Sequence, residues 1–351
     1  MELGEDLPIR ILRRTWQPVA LARDLKPGGV SGYKLLDFDI VIARFPDGRL
    51  LAAENSCPHK GMRLSLGKVH GGELQCAYHG WRFDPSGACT NIPSLIDPPA
   101  NKLEASTLTH YGIQERYGMI WVQMENHDSE QLPDIPEFED PDWTFTLGPP
   151  TPFKAGFRRE IENYLDMTHF AFAHSSTLGK AADSVVPRMD ITELDDGFLM
   201  DAPFPALKTP HEQPGKLQSA HRRKQRCYLP NFTTIRQTFE DGDERLLVHI
   251  PSPNSIFECT VFWALAISKD FHGPSPEDQM AFAIKVLDED RTMCENQIPR
   301  EVPINPARGG WGVLVTPGDT LANTFEKVFR KYLIKHQGES EDQGRSMIPP
   351  Y

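Results

Sequence analysis

CPHKGMRLSLG at 57–67 and LQCAYHGWRFDPSGAC at 74–89 decide how the first part of this chain is read. Each segment pairs one cysteine with one histidine. Cys57-Pro58-His59 is followed, after sixteen intervening residues, by Cys76-Ala77-Tyr78-His79. Zinc fingers space cysteine with cysteine and histidine with histidine, so the mixed pairing speaks against a structural zinc. It matches an iron–sulfur cluster in which two cysteines and two imidazoles share the irons. Gly61 follows the first pair and Gly80-Trp81 the second. The glycines let backbone approach the sulfides, and Trp81 can shield one side from water. Cys57, His59, Cys76 and His79 already make four ligands. Cys89, Cys227, Cys259 and Cys294 are therefore expected as buried thiols.

Working outward, the surrounding residues read as short strands. IVIARF (40–45) and RLLAAEN (49–55) flank Pro46-Asp47-Gly48, a hairpin signal. ELQCAY (73–78) and MIWVQM (119–124) follow, the second after Tyr117-Gly118. QLPDIPEFEDPDW (131–143), rich in proline and acid, reads as a linker. Two domains are expected, 1–150 and 151–351. Beyond the linker, residues 158–174 look helical, and NFTTIRQTF (231–239), RLLVHI (245–250) and CTVFWALAI (259–267) look like strands, with a turn at Asp241-Gly242-Asp243. Ser275 as N-cap, Pro276 at N1 and Glu277-Asp278 behind it start a helix expected to run to about 297. A last amphipathic helix is expected over 319–335, with Leu321, Phe325, Val328, Phe329, Tyr332 and Leu333 on its core face.

A cluster alone makes an electron carrier, but the second half offers another donor set. NYLDMTHFAFAH (163–174) holds His169 and His174, five apart. Five residues rotate about 140° on a helix, so the helix must bulge or end between His169 and His174 for both to bind one metal. Asp166 and His169, three apart, are neighbours. The helix from 275 supplies Asp288-Glu289-Asp290 as candidates for a third ligand. Two histidines and a carboxylate with open positions form the facial triad of non-haem Fe(II) oxygenases.

Composition excludes some classes. The 351 residues carry a formal net charge of −12, which argues against nucleic acid as partner. Hydrophobic residues are 39% and charged residues 25%, ordinary for a globular chain that buries real cores. No apolar run approaches the roughly 20 residues that span a bilayer, and MELGEDLPIRILRR has no apolar leader. A cytoplasmic protein with no membrane role is expected. Gly-x-Gly-x-x-Gly is absent, so flavin or nicotinamide binding must come from another protein.

Together these pieces, with ERYGMIWV (115–122) and VLDEDRTMCENQ (286–297), resemble the terminal oxygenase component of Rieske non-haem iron oxygenases. The likeness is to the homotrimeric phthalate-oxygenase-like branch that includes vanillate, dicamba and caffeine demethylases. It covers most of the chain; residues 175–270, where substrate contacts would lie, match little. The resemblance implies an α+β chain: an N-terminal all-β Rieske [2Fe–2S] domain, then a helix-grip catalytic domain of antiparallel sheet plus helices. His169 and His174 would ligate a mononuclear Fe(II), with Asp290 as the carboxylate and Asp288 and Glu289 as rivals. Asp166 matches the residue that bridges the cluster of one subunit, through His79, to His169 of the next. Asn163 would lie close to the iron.

The implied reaction is a monooxygenation. A separate NAD(P)H-dependent reductase, flavin- or ferredoxin-containing, feeds the cluster, and one atom of O2 enters a small aromatic or heterocyclic substrate. Hydroxylating a carbon beside nitrogen or oxygen ends in demethylation; plain hydroxylation uses the same ligands. The rivals are a ring-hydroxylating dioxygenase and a Rieske electron-transfer protein. His211, His221 and His249 are expected as surface or strand residues rather than catalysts.

Overall fold

The computed structural model describes residues 4, 6–125, 131–178, 185–186, 188–203, 220–239, 241–304 and 316–340. His211 and most of the polar tail fall outside them, and of His221 the backbone is described. The chain forms two compact units, one within Leu12–Leu132 and the other within Pro133–Arg345 and Met1–Ile11.

The first unit follows a short helix α1 (Leu7–Leu12) and is almost wholly β. Its strands are β1 (Gln17–Leu21), β2 (Val30–Leu35), β3 (Phe38–Arg44), β4 (Leu50–Glu54), β5 (Lys68–His70), β6 (Glu73–Gln75), β7 (Arg82–Phe83) and β8 (Cys89–Asn91). A short α2 (Ala100–Glu104) precedes β9 (His110–Arg116) and β10 (Met119–Gln123). A six-stranded sheet runs β1-β10-β9-β4-β3-β2, and a four-stranded one β5-β6-β7-β8. β3 and β4 pair across the Pro46-Asp47-Gly48 turn. Tyr117 and Gly118, both at positive φ, close the two-residue β9–β10 hairpin. The expected strand at 73–78 stops at Gln75, because Cys76 opens a loop instead of continuing the ladder. Val41, Ala43, Phe45, Leu51, Leu64, Leu74 and Phe83 form one core that also contains Cys57 and Cys76. Each large apolar member contributes roughly 1.5–3 kcal/mol on burial, so the thiols stand on a rigid floor.

The second unit is built on an eight-stranded antiparallel sheet. Its strands are β11 (Trp143–Leu147), β12 (Thr151–Phe153), β13 (Asp190–Leu194), β14 (Gly197–Pro203), β15 (Ala220–Tyr228), β16 (Phe232–Phe239), β17 (Glu244–Ser255) and β18 (Glu258–Ser268). The order is β11-β18-β17-β16-β15-β14-β13, with β12 also on β18. Helices α3 (Phe157–Leu165), α4 (Phe170–Ala173), α5 (Pro276–Asn296) and α6 (Thr320–Ser340) accompany it. α3 packs on β17, α5 and α6, and α4 meets α5. Ser275 caps α5, its hydroxyl accepting from Asp278 N at 3.1 Å. α6 begins after a 3₁₀ turn at Pro317–Asp319 and runs past the expected end at 335. It buries Leu321, Phe325, Val328, Phe329 and Leu333, with Phe329 edge-on to Phe157.

Residues 158–174 are not one helix. α3 stops at Leu165, Asp166 is extended (φ −79°, ψ 134°), and the single turn of α4 follows. No helix among the described residues is long and apolar enough to cross a membrane.

Candidate metal centres

The first centre sits on two loops of the all-β unit, one between β4 and β5, the other between β6 and β7. Each loop is tied in the same way. Cys57 N donates to Met62 O and Gly61 N to Cys57 O; Cys76 N donates to Trp81 O and Gly80 N to Cys76 O. Gly61 (φ +67°) and Gly80 (φ +70°) hold matching left-handed positions, where a Cβ is strained. Two equivalent knuckles thus present the four side chains Cys57, His59, Cys76 and His79.

Cys57 and Cys76 are buried, while His79 is exposed. The two imidazoles are 4.5 Å apart, and His59 stacks on Trp81 at 4.7 Å and 6°. Trp81 therefore packs against a ligand ring as well as covering the loops. Burial, with the neighbouring Cys76 thiol, pushes Cys57 up to about 11, against the hydrogen bond from the His59 amide. His59 Nδ1 is buried without a hydrogen bond. A cluster supplies what these atoms lack: positive charge for two thiolates and a bond for the ring nitrogen. Among the described residues, His169–His174–Asp290 and Asp241–Asp243–His272 bring three ligand atoms within 4.8 Å of one another.

The second centre lies in the other unit. His169 stands at the entry of α4 and His174 at its exit, where φ −105° and ψ 28° leave the helix. The break at Asp166 and this exit let both rings turn inward. Their Nε2 atoms are 3.1 Å apart. Asp290, 8% exposed on α5, brings Oδ1 to 2.9 Å from His174 Nε2 and 3.3 Å from His169 Nε2. Three donors at about 2.1 Å from one ion and 90° apart lie about 3.0 Å from each other. The observed triangle has those edges. Asp290 Oδ1 is buried and makes no hydrogen bond despite this proximity, because its lone pairs and those of the nitrogens converge on a point between them.

The outer nitrogens are held as well. His169 Nδ1 meets Asp166 Oδ2 at 3.2 Å, and His174 Nδ1 meets Glu289 Oε2 at 2.8 Å. A carboxylate on Nδ1 fixes the tautomer that leaves Nε2 free to bind. Asp166 Oδ1 accepts from Thr168 N and Oγ1; Glu289 accepts from Thr177 and Ser176. Burial lowers the His169 pKa, but the neighbouring carboxylates of Asp166 and Asp290 outweigh it and push it up to about 9. Burial likewise opposes the ionised Asp290, whose pKa the two histidines nonetheless hold below the usual carboxylate range. Two imidazoles and a carboxylate that each favour a positive charge between them mark where a cation belongs.

Asp288 is exposed and pairs with Arg291, and Glu289 faces the back of His174. Asn163 stands one turn before Asp166 and makes none of these contacts. His249 is buried on β17, hydrogen-bonded to Glu160 and stacked on Tyr164 at 3.9 Å. The sequence reading missed the positioning of His174 by Glu289, Thr177 and Ser176. The one available signal was a second acid beside Asp290.

A Rieske [2Fe-2S] domain model matches residues 15–103, and a vanillate O-demethylase oxygenase C-terminal domain model matches residues 153–331, just over half of the chain. Methylxanthine N1-demethylase NdmA of Pseudomonas putida is 29% identical over 351 residues, covering 97% of this chain and 94% of that one. The solved structure of Pseudomonas putida NdmA with caffeine has a TM-score of 0.84 at 25% identity, covering 96% and 95%. Dicamba monooxygenase bound to dicamba shares the fold, with a TM-score of 0.76 at 21% identity over 93% of this chain and 99% of that one. Oxidoreductase NdmD of Pseudomonas putida is 37% identical over 119 residues, 33% of this chain and 20% of that one.

Proposed function

From the premise that this chain belongs to the vanillate O-demethylase type of Rieske oxygenases, we propose how its own residues run a multicomponent monooxygenase. It acts as the terminal oxygenase, hydroxylating or O-/N-demethylating a small substrate with O2. The observation that carries this reading is the convergence of His169, His174 and Asp290 in a chain that also carries the Cys/His quartet.

When bound, the [2Fe–2S] cluster supplies electrons singly and the mononuclear iron supplies the place where oxygen is activated. Cys57, Cys76, His59 and His79 hold the cluster, and His169, His174 and Asp290 hold the iron. Asp166 and Glu289 keep the two iron-site imidazoles aimed. Asp166 has a further role between subunits: its carboxylate accepts from His169 and, in a homotrimer, from a cluster histidine of the neighbouring subunit. Asn163, three residues before Asp166, lies close to the iron by the family resemblance. The substrate is a small aromatic or heterocyclic molecule whose reacting carbon lies beside nitrogen or oxygen. Its hydroxylation product loses formaldehyde.

Electrons come from a separate NAD(P)H-dependent reductase. The lack of a dinucleotide fingerprint in this chain and the likeness to an oxidoreductase of the same organism as NdmA support that. A cytoplasmic location matches that source of reductant.

Iron counting and product analysis test the function together. The oxygenase reading expects about three irons per chain, with formaldehyde released from a methylated aromatic or heterocycle in the presence of a surrogate reductase. Two irons per chain, with cluster reduction but no oxygen uptake, would mean an electron carrier and overturn it.

A further inference from the structure

Both oxygens of the Asp166 carboxylate are engaged. Oδ2 meets His169 Nδ1 at 3.2 Å, and Oδ1 accepts from Thr168 N at 2.7 Å and from Thr168 Oγ1 at 2.6 Å. Two donors on Oδ1 leave Oδ2 aimed at the imidazole. The residue that supplies them is β-branched. Oγ1 and Cγ2 of Thr168 share one Cβ and turn together about a single torsion with few allowed settings. Whatever fixes the methyl therefore fixes the hydroxyl.

That methyl lies against the turn that opens α6. Pro317–Asp319 is a 3₁₀ turn closed by a capping box. Thr316 N and Oγ1 donate to Asp319 Oδ2 at 2.6 and 2.9 Å, and Asp319 N donates to Thr316 O at 3.0 Å. α6 follows at once and buries Leu321 and Phe325, so moving the turn would unseat the core face of the helix. Gly318 sits at the centre of the turn. A 3₁₀ conformation suits any L-residue, so the missing side chain answers to space alone. A Cβ at Gly318 would stand 2.3 Å from Thr168 Cγ2, but 3.4 Å from Thr316 Oγ1 and 3.7 Å from Thr168 Cβ. Only the contact with the methyl is forbidden. Relieving it by rotating Thr168 would swing Oγ1 away from Asp166.

We propose that Thr168 and Gly318 are positioning residues for the oxygenase reaction. Gly318, at the head of α6, admits the Thr168 methyl; the methyl sets the Thr168 hydroxyl; and the hydroxyl sets the Asp166 carboxylate against His169. Both residues act through Asp166. The start of α6 is thereby coupled to the outer side of the iron site. This deepens the oxygenase reading and rests on it for the passage of electrons by way of Asp166.

The test uses the full chain with cluster and iron loaded and both oxidised, mixed anaerobically with dithionite. The EPR signal of the ferric site gives two readouts. Its shape reports the arrangement of the ligands, and its decay reports the arrival of an electron. Thr168→Val, which keeps the shape of the side chain and removes the donor, should change the signal and slow its decay about tenfold or more. Gly318→Ala should do the same. Thr168→Ser keeps the hydroxyl and removes the methyl. Alone it should stay within about twofold of wild type, and combined with Gly318→Ala it should restore both readouts. A purely steric role for Thr168 would leave Thr168→Val at wild type. Wild-type shape and decay in Thr168→Val or in Gly318→Ala, or a double variant no better than Gly318→Ala alone, overturns the proposal. If Gly318→Ala does not fold, Thr168→Val and Thr168→Ser decide, the first altered and the second not. Asp166→Asn separates the two readings. A signal that changes and reverts as expected, with wild-type decay in every variant including Asp166→Asn, rejects the electron path and leaves the coupling standing. Slow decay in Asp166→Asn, with both readouts unchanged in Thr168→Val and Gly318→Ala, rejects the coupling alone.

Discussion

Asp166 and Glu289 do the same work on two imidazoles from opposite sides, each holding Nδ1 so that Nε2 points inward. Glu289→Ala should therefore lower iron affinity about 10–100-fold while the cluster spectrum stays unchanged; iron content after dialysis measures it. Asp166→Asn should leave both metal sites loaded and cut turnover severely, because the proposed link between subunits would lose its charge. Turnover at the wild-type rate would remove Asp166 from that role. The histidines and Asp166 were legible in the sequence as a short constellation. The choice among Asp288, Glu289 and Asp290 was not legible from the residues, since successive residues turn 100° on a helix and the helix phase depends on what α5 packs against. Glu301 belongs to this scale too. Burial, opposing nearby Arg158, pushes its pKa from 4.5 up to about 8. The folded state then keeps a proton that the unfolded chain releases, so stability falls as pH rises from about 4.5 through about 8. Glu301→Gln should flatten that slope in thermal unfolding followed across this range.

The elements differ in how plainly their sequences announced them. α5 carried a cap, a proline at N1 and acids in its first turn, and it lies where those signals put it. β3 and β4 are continuous apolar runs closed by a turn. β15 reads AHRRKQRCY and escaped notice, because its inward positions are Arg223, Gln225 and Cys227. A strand whose buried face is polar shows no hydrophobic alternation. The histidine spacing called for a bulge or end between His169 and His174; instead a single helical turn lies between them, His174 leaves it at the C-cap, and the larger break falls earlier, at Asp166. α3 and α6 are joined by Arg158, 1% exposed, which pairs with Glu326 and donates to Val302 O at 2.6 Å. Arg158→Ala would leave Glu326 without its cation and should cost about 3–5 kcal/mol, measured by denaturant unfolding of the full chain.

For the whole molecule, the all-β unit houses one centre and the sheet-and-helix unit the other. Light scattering should report about three times the single-chain mass for the homotrimer in which Asp166 meets a neighbouring cluster; a monomer would remove that link. The iron cage also has a consequence for the lifetime of the protein. Its ligands come from residues 169–174 and from residue 290, so a bound ion staples α4 to α5 across more than a hundred residues of chain. Emptied, the cage keeps a buried carboxylate oxygen with no hydrogen bond in place of a metal bond. An ion present at a hundred times its dissociation constant adds about 2.7 kcal/mol to folding, so chelation should lower the melting temperature by several degrees and hasten cleavage near α4. Iron scarcity would then thin the population of this protein through degradation, and iron supply would set its abundance as well as its rate.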